Sequence, residues 1–270
     1  MNIGIIGVGY VGGAMLKSLT EKSENNNDFI IGYDKYKKIG SFENTLNCDI
    51  IFLCLPTLYN VETSSYDKSS LEEICEDLVK AKYRGLIIIK STVEPTTCQK
   101  FADKYNLPIV HNPEFLTART AYEDFHNQKH VILGKTCNVT DEQIDILVKF
   151  YKKNYSQADI TICNSTESES IKIFCNSFYA VKIQFFNELY LLCQKLNIDY
   201  EIVKNTMLKN NWINPMHTNV PGPDGKLSYG GACFPKDTSA LLAFMKSNEL
   251  PCEVLDATVR ERNKIRGLDE

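Results

Sequence analysis

The sequence lacks the features that mark membrane-spanning, exported and nucleic-acid-binding proteins. No apolar run in its 270 residues is long enough to cross a bilayer. The first residues carry no basic stretch, and glycines interrupt their apolar run, so they do not resemble a signal peptide. No basic patch is evident and the net charge is −4, which argues against a nucleic-acid partner. We therefore expect neither a membrane nor a nucleic-acid partner.

The ten cysteines include no C-x-x-C pair. Without an export signal, this favours thiols in a reducing compartment over a disulfide framework, and we expect a cytoplasmic protein. No metal site is expected, because no acid or cysteine completes a ligand set with His126 and His130. A composition of 43% hydrophobic and 24% charged residues is ordinary for a globular chain, and the length allows one large or two smaller domains.

A glycine-rich turn follows the first predicted strand, residues 3–6. The turn fits G-x-G-x-x-G and precedes a helical pattern over residues 11–19. Its glycines permit a tight turn and let a pyrophosphate approach the helix N-terminus, where free N–H groups and the helix dipole favour an anion. The predicted cofactor contacts in this turn are Gly7, Val8, Gly9, Tyr10, Val11 and Gly12.

An aspartate follows the second predicted strand, residues 29–33. Asp34 lies at the spacing from the glycines at which an acid binds the hydroxyls of the adenosine ribose, which favours NAD over NADP. Lys35, Lys37 and Lys38 come next and could tolerate a 2′-phosphate, although a solvated turn explains these lysines better. We include Lys38 among the candidate cofactor contacts.

Predicted strands alternate with predicted helices as far as residue 164. This order is typical of a doubly wound, Rossmann-type parallel sheet with helices on both faces, and we assign residues 1–164 to such a domain. Ligands bind these sheets at the carboxyl ends of the strands. The residues predicted at those ends are Pro56, Thr57, Ser91 and Thr92, as cofactor contacts, and Glu114.

From residue 165 the pattern changes to helix, and we assign residues 165–270 to an all-helical domain. Its first helix is long and ends near residue 196. An apolar stripe follows this helix, with members Ile171, Phe174, Phe178, Val181, Phe185, Leu189 and Leu192. Polar residues recur on a neighbouring face at Glu169, Lys172 and Asn176. We favour a functional role for Lys172 and Asn176, whereas Glu169 fits a solvated face.

A cysteine lies between a glycine pair and a Phe-Pro turn, in the stretch Tyr229-Gly230-Gly231-Ala232-Cys233-Phe234-Pro235-Lys236-Asp237. The glycines let the backbone approach a ligand closely, and Pro235 predicts the start of a helix. A thiol held near cations in this way can act as a thiolate nucleophile, although an isolated cysteine is more often a small buried hydrophobe. The long irregular segment before it, residues 210–231, is typical of a functional loop.

Together these motifs resemble the UDP-glucose/GDP-mannose dehydrogenase family. They occur in the family's order and span nearly the whole chain. The matching stretches are the glycine-rich turn, Ser91-Thr92-Val93, Asn112-Pro113-Glu114-Phe115-Leu116, Glu169-x-x-Lys172-x-x-x-Asn176, Asn187-Glu188 and the cysteine stretch. The resemblance implies an oxidoreductase that uses NAD.

The resemblance implies oxidation of the C6 alcohol of UDP-glucose to a carboxylate, with two NAD⁺ and one water. Cys233 would trap the aldehyde as a thiohemiacetal, and a second hydride transfer would give a thioester that water hydrolyses. Lys172, with Asn176 beside it, would stabilise developing oxyanions. The other implied catalytic residues are Asp237, which would orient water; Glu114, a general base or an aid to thioester hydrolysis; and Thr92, which would help to hold the water and the nicotinamide.

The resemblance also implies how the substrate is bound and how the protein assembles. A homodimer through the helical domain is expected, and residues 220–229 would line the nucleotide sugar. The implied substrate contacts are Glu114, Phe115, Leu116, Lys172, Asn176, Tyr229, Gly230 and Lys236.

Two departures from the family's pattern concern the ligands. The family commonly has a second glutamate where this sequence has Ala118, so a cofactor or water contact is in doubt. Most members also carry a C-terminal nucleotide-binding domain, and this sequence ends near where that domain would begin. The sequence therefore leaves open how far activity and substrate affinity depend on that domain.

Two other functions stay open from the sequence. The first is the same chemistry on another nucleotide sugar, either GDP-mannose or a UDP-N-acetylhexosamine. The second is a non-catalytic protein that binds NAD or a nucleotide sugar. A pure binding protein needs no nucleophile, so four intact residues argue against the second function: Cys233, Lys172, Asn176 and Asp237.

Overall fold

Short apolar runs rich in β-branched residues form the strands of the computed structural model, which describes residues 1–24 and 27–268. Within these described ranges, seven strands make one sheet and two make a hairpin. In chain order the strands are β1 (Asn2–Ile6), β2 (Phe29–Tyr33), β3 (Ile50–Leu53), β4 (Tyr59–Asn60), β5 (Ser65–Tyr66), β6 (Leu86–Ile89), β7 (Ile109–His111), β8 (His130–Lys135) and β9 (Asp159–Asn164).

Helices alternate with the strands of the sheet, as the sequence predicts. They are α1 (Tyr10–Ser23), α2 (Phe42–Thr45), α3 (Ser69–Lys80), α4 (Thr97–Tyr105), α5 (Ala121–His126) and α6 (Asp141–Asn154). Helix α6 starts where predicted, because Thr140 and Gln143 cap it reciprocally: each side chain accepts a hydrogen bond from the other's backbone N–H.

The sheet has the strand order β2-β1-β3-β6-β7-β8-β9. The first five strands of that order pair in parallel. The chain leaves β1 for β2 on one side, and β3 lies on the other side, so the carboxyl ends of these strands form a topological switch point. The predicted doubly wound, Rossmann-type sheet is confirmed, and its ligand-binding edge lies at this switch point.

One strand pair departs from the predicted parallel sheet. Strand β8 runs antiparallel to β7, with Val110 opposite Lys135 and His111 opposite Gly134. The connection between them holds a 3₁₀ turn (Ala118–Thr120) and the short helix α5. An antiparallel neighbour needs no crossover that returns the chain to the same end of the sheet. The alternation of strands and helices in the sequence does not distinguish the two directions.

Two hydrophobic clusters hold the sheet between its helices. The period of two along a strand sends alternate residues to opposite faces, so Phe52 joins one cluster while Ile51 and Leu53 join the other. Residues of α1 and α6 complete the first cluster, and residues of α3 and α4 complete the second. Because both faces are covered, the central strands are apolar throughout.

The chain divides into two units. The first contains Met1–Leu58 and Tyr66–Lys172, and the second contains Tyr59–Ser65 and Ile173–Glu270. Helix α7 (Ser165–Leu196) starts in the first unit and continues into the second, which also holds α8 (Tyr200–Leu208), α9 (Phe234–Ser247) and α10 (Glu253–Arg266). Within the two described ranges, no helix combines the length and the apolar character needed to cross a membrane.

Buried polar side chains fix the start of α7 within the first unit. The Glu169 carboxylate is fully buried and accepts hydrogen bonds from the backbone N–H groups of Thr96 and Cys98, each at 2.6 Å. It thereby caps α4, whose first N–H groups have no partner inside the helix. The solvated-face interpretation of Glu169 is wrong, because α4, which is distant in sequence, covers this position.

The buried Glu169 makes the stability of the fold depend on pH. Burial raises the pKa of this carboxyl to about 7, against the lowering effect of its bonds to Cys98 and Thr96. Because the folded protein binds this proton more tightly than the unfolded chain does, protonation of Glu169 stabilises the fold. The stabilisation is complete below the pKa of the unfolded chain and is lost as the pH rises through the pKa of the folded protein. We expect it to contribute about 3 kcal/mol at pH ~4.5 and little above pH ~7.5.

Urea unfolding followed by circular dichroism at each pH measures this contribution. Glu169→Gln removes the titrating group, so its free energy of unfolding should fall less between these pH values than that of the wild type. Glu167→Gln, at an exposed position of the same helix, is the matched control and should follow the wild type. Equal slopes for the wild type and Glu169→Gln would contradict the assignment.

Candidate active site

The glycine-rich turn lies between β1 and α1 in the first unit. Gly7 has φ +90°, and a Cβ there would lie 2.5 Å from the carbonyl oxygen of Cys54. A Cβ at Gly12 would lie 1.9 Å from the Gly7 oxygen, so both positions require glycine. A Cβ at Gly9 would meet nothing within 4 Å, which leaves open space in front of the N-terminus of α1. A pyrophosphate fits this space.

The other predicted residues of the turn lie beside this space. Val8 is buried, and its backbone N–H and carbonyl are both bound by side chains from the segment after β2. Tyr10 is 77% exposed at the start of α1, and Val11 is half-buried behind it. Tyr10 is therefore accessible to a ligand that occupies the turn.

Asp34 follows β2 and binds the glycine-rich turn. Its Oδ2 accepts a hydrogen bond from Val8 N at 2.9 Å, and its Oδ1 accepts from Tyr36 N and Lys37 N. Burial raises the pKa of the Asp34 carboxyl, but the three backbone donors outweigh burial and the net pKa lies below its ordinary value. Asp34 therefore remains a carboxylate, which can accept the hydroxyls of a ribose but repels a 2′-phosphate.

The lysines after Asp34 do not form a phosphate site in this arrangement. Lys35 pairs with Glu73 at 2.8 Å, and Lys37 Nζ donates to the carbonyl of Val8 at 2.6 Å. Lys38 is exposed and takes a left-handed conformation with φ +55°. Lys35 and Lys37 thus bind other groups of the protein. Lys38, the lysine that we included among the predicted cofactor contacts, fits the interpretation as part of a solvated turn.

Hydroxyl side chains join the carboxyl ends of β3 and β6. Thr57 donates to the carbonyl of Thr92 at 2.7 Å. Ser91 donates to the carbonyl of Leu55 at 2.6 Å and accepts from Leu55 N. Pro56 is exposed at the same edge. The structure therefore brings the four predicted strand-end residues together at the switch point of the sheet.

Lys172 contacts the segment after β7. Its buried Nζ donates to the carbonyl oxygen of Glu114, lies 3.3 Å from the Glu114 carboxylate and sits 5.0 Å from the centre of the Phe115 ring. The other Glu114 oxygen accepts from Leu116 N at 2.8 Å. Four predicted residues thus form one group in the first unit, with a cation and a carboxylate in contact. The side chain of Ala118 lies outside the described part of this segment.

A second buried lysine supports this segment, and the sequence analysis missed it. Lys90 Nζ donates to the carbonyl oxygen of Asn112 at 3.0 Å and to its Oδ1 at 2.7 Å. The hydroxyl of Tyr151 donates to the same Oδ1. Burial lowers the pKa of Lys90 to about 8. The sequence could have identified it, because a lysine at the end of an otherwise apolar strand, directly before Ser91, is unusual.

Cys233 lies at the N-terminus of α9 in the second unit. It is the exposed N-cap residue of this 14-residue helix, and Asp237 N donates to its carbonyl oxygen at 3.0 Å. Pro235 occupies the first turn, as predicted. Gly231, before the cysteine, has φ +76° and open space around its Cβ position. Cys233 therefore lies at the positive end of the helix dipole.

Asp237 is fully buried one turn after the cysteine. Its Oδ2 accepts a hydrogen bond from Asn176 Nδ2 at 2.5 Å, and its Oδ1 pairs with Lys236 Nζ at 2.6 Å. The amide comes from α7 and the lysine from α9. The structure thus gathers three predicted residues of the second unit around the base of the helix that begins at Cys233.

The segment before the cysteine is anchored by arginines that the sequence analysis missed. Arg262 lies over the buried ring of Tyr229, 5.6 Å from its centre. Arg266 pairs with Asp224 at 2.8 Å. A Cβ at Gly230 would lie 2.6 Å from an Arg266 nitrogen, so a side chain there would displace the end of this arginine. Both arginines lie near the end of α10, too far along the chain for spacing to reveal the contact.

Each unit carries its own set of charged and polar groups. No group of three or more His, Cys, Asp or Glu side chains in residues 1–24 and 27–268 could hold a metal ion. The groups described above include a glycine-rich turn of the dinucleotide-binding type, a lysine–carboxylate pair and a thiol at a helix N-terminus. These groups suit redox chemistry with an organic cofactor and covalent trapping by sulfur.

Comparison with known proteins agrees with this chemistry. Two sequence models of the UDP-glucose/GDP-mannose dehydrogenase family match the chain: the NAD binding domain over residues 33–155 and the central domain over residues 166–264. The cofactor is therefore NAD.

Individual relatives cover almost the whole chain. UDP-glucose 6-dehydrogenase of Rickettsia bellii is 31% identical over 98% of this chain and 67% of its own length. The enzyme of that name from Campylobacter jejuni is 27% identical over 98% of this chain and 72% of its own length. A UDP-glucose dehydrogenase structure from Pyrobaculum islandicum has a TM-score of 0.84 at 23% identity, and covers 97% of this chain and 68% of that one.

Asp34→Asn tests the choice of dinucleotide. The asparagine amide keeps one oxygen that can accept a hydrogen bond from Val8 N. It loses the negative charge that strengthens hydrogen bonds from the ribose hydroxyls. We expect NADH affinity to fall about tenfold or more, because hydrogen bonds to charged groups contribute about 1.5–3 kcal/mol. The preference for NADH over NADPH should narrow as the repulsion of the 2′-phosphate disappears.

Fluorescence titration with NADH and NADPH measures both affinities. Asp67→Asn is the matched control, because the exposed Asp67 also accepts a backbone N–H, that of Ser69, but lies outside the turn. The control should bind both dinucleotides like the wild type. An unchanged NADH-to-NADPH preference in Asp34→Asn would overturn the role of Asp34.

Proposed function

The chain belongs to the UDP-glucose/GDP-mannose dehydrogenase family, and we propose that it oxidises the C6 alcohol of UDP-glucose to the carboxylate. The family contains NAD-dependent nucleotide-sugar dehydrogenases. Two relatives with 27% and 31% identity bear the name UDP-glucose 6-dehydrogenase, which supports UDP-glucose as the substrate. The observation that carries the proposal is the exposed Cys233 at the N-terminus of α9, with the buried Asp237 in the next turn.

The cysteine explains why oxidation proceeds beyond the aldehyde. The glycine-rich turn and Asp34 would hold NAD⁺, which would supply the hydride acceptor for each of two oxidations. After the first oxidation, the Cys233 sulfur adds to the aldehyde carbon and gives a thiohemiacetal. The second oxidation leaves a thioester, and water then breaks the C–S bond to release the carboxylate and the thiol. An enzyme without such a nucleophile would stop at the aldehyde.

The polar side chains supply charge and protons to these steps. Lys172 stabilises the developing oxyanions with its buried ammonium, assisted by the amide of Asn176. Glu114 removes the alcohol proton or assists thioester hydrolysis. Asp237 orients the hydrolytic water, and its bonds to Asn176 and Lys236 fix its rotamer for that task. Thr92 helps to hold the water and the nicotinamide.

The segments beside these groups bind the sugar nucleotide in this proposal. Phe115 and Leu116 follow the base, and Tyr229, Gly230 and Lys236 flank the nucleophile. The exposed ring of Phe115 and the accessible backbone around the glycines suit a sugar ring and its hydroxyls. We also place the enzyme in the cytoplasm, a reducing compartment that suits ten cysteines with no disulfide between them.

A second nucleotide sugar is the alternative substrate. Solved structures with the same fold include a UDP-D-ManNAc dehydrogenase from Pyrococcus horikoshii, with a TM-score of 0.79 at 18% identity and coverage of 99% of this chain and 69% of that one. The shared fold does not select the sugar. A panel of UDP-glucose, GDP-mannose and UDP-N-acetylhexosamines therefore belongs in the assay.

An apolar stripe on α7 supports a homodimer. Phe174, Phe178, Phe185 and Leu192 are 50–63% exposed and recur every four or seven residues along the helix. These spacings place them on one side of α7. A stripe of this size is unusual on a monomer, and a second copy of the same helix would cover it through a two-fold interface.

NADH formed per sugar consumed tests the proposed reaction. We expect two NADH for each UDP-glucose, measured by absorbance at 340 nm and by chromatography of the sugar nucleotides. Cys233→Ser should keep NADH binding but form almost no UDP-glucuronate, a loss of about a thousandfold or more, since removal of a nucleophile has effects of this size. Unimpaired carboxylate formation by Cys233→Ser would contradict the proposed role of the thiol.

Phe178→Glu tests the homodimer. Truncating a central aromatic residue of an interface costs about 2 kcal/mol or more, or roughly a 30-fold weaker dimer. Light scattering after size-exclusion chromatography should show a dimer for the wild type and a shift towards monomer for the variant. Leu250→Asp, at an exposed apolar position after α9, is the control and should remain dimeric. A monomeric wild type would exclude this interface.

A further inference from the structure

Ser228 has a backbone conformation that its residue type rarely takes. Its φ is +60°, in the left-handed region that favours glycine, and the residue is only 2% exposed. It lies five residues before Cys233, at the start of the Tyr229-Gly230-Gly231 stretch. A side chain in this conformation persists only when neighbouring groups hold it there.

Three side chains of the second unit hold the polar groups of Ser228. The backbone N–H donates to Asn187 Oδ1 at 2.8 Å, and the hydroxyl donates to Gln184 Oε1 at 2.5 Å. The carbonyl oxygen accepts from an Arg266 nitrogen at 2.8 Å. Gln184 and Asn187 lie on α7, and Arg266 ends α10. The N–H, hydroxyl and carbonyl of Ser228 are all bonded by these two helices.

Burial of the Gln184 amide costs free energy, and one hydrogen bond to Ser228 offsets only part of that cost. Gln184 is 2% exposed, and its Nε2 has no hydrogen-bond partner within the described ranges. A buried donor without a partner destabilises a fold, and an apolar side chain of the same shape avoids that penalty. Stability alone therefore does not account for a glutamine here. The bond to the Ser228 hydroxyl is the contact that the glutamine adds.

We propose that Ser228, bound by Gln184 and Asn187, is a positioning residue that fixes the path of the chain into Cys233. It acts through Tyr229, whose hydroxyl lies 3.4 Å from that of Thr238 on α9. The bonds at Ser228 and Tyr229 thus set where α9 begins, and with it the sulfur. This inference rests on the proposed role of Cys233 as nucleophile.

The test replaces both polar partners at once. In the Ser228→Ala/Gln184→Leu double variant, no polar side-chain group of the pair is left unsatisfied, so the melting temperature should be equal to or above that of the wild type. Positioning of the thiol should nevertheless be lost. Because a misplacement of about 1 Å can cost a hundredfold in rate, we expect kcat for carboxylate formation to fall about tenfold or more. The KM for NAD⁺ should stay within about twofold, because the dinucleotide-binding turn belongs to the first unit.

Two further variants separate the bond from the backbone conformation. Ser228→Gly accepts the left-handed conformation without strain but leaves the buried Gln184 Oε1 without its donor, so it should lose activity like the double variant and melt at a lower temperature than the double variant. Ser247→Ala removes an exposed serine hydroxyl at the end of α9 and should match the wild type in both respects.

A readout without turnover keeps this inference separate from the proposed reaction. The rate of alkylation of Cys233 by iodoacetamide, followed by mass spectrometry, should change about fivefold or more in the double variant and remain unchanged in Ser247→Ala. An altered rate in a protein that oxidises no nucleotide sugar would defeat the proposed reaction and leave the positioning role supported. Wild-type alkylation and wild-type kcat in a stable double variant would overturn the positioning role.

Discussion

The cost of burying polar groups constrains this structure more than any other interaction. Helix α7 buries Glu169, Lys172 and Asn176 within two turns, and each must find a partner or destabilise the fold. Glu169 caps α4, Lys172 binds the segment that carries Glu114, and Asn176 binds Asp237. One helix therefore orients polar groups in the first unit and in the second. The residues of the proposed reaction are fixed by satisfied hydrogen bonds and not by hydrophobic packing alone.

The same principle explains which parts of the site the sequence could predict. The glycine-rich turn, Asp34, the strand-end hydroxyls and the cysteine stretch were accessible, because short spacings and local backbone rules define them. The burial of Glu169 and the anchoring by Arg266 were not, since their partners lie more than thirty residues away along the chain. The antiparallel β8 was missed for a related reason: strand direction depends on how the connection crosses the sheet, which alternation of elements does not record.

The two ligand-binding parts of the chain differ in how they are made. At the switch point, small residues leave room for a cofactor, and the carboxylate proposed to select its ribose is held by the backbone N–H of the same turn. Around Cys233, side chains from α7, α9 and α10 converge on a loop whose backbone would not keep its conformation alone. The proposed cofactor site is thus shaped by local structure, whereas the proposed nucleophile is placed by contacts between distant segments.

The division of the chain also affects how the protein can be synthesised and dissected. The hairpin segment Tyr59–Ser65 belongs to the second unit although it is inserted between β3 and α3 of the first. A ribosome therefore makes this segment long before α9, with which β4 packs, has emerged. Neither unit is a contiguous polypeptide, so cutting the gene at the start of α7 would separate the hairpin from its helical partners. Expression of either unit by itself would require joining two segments that are not consecutive in the natural chain.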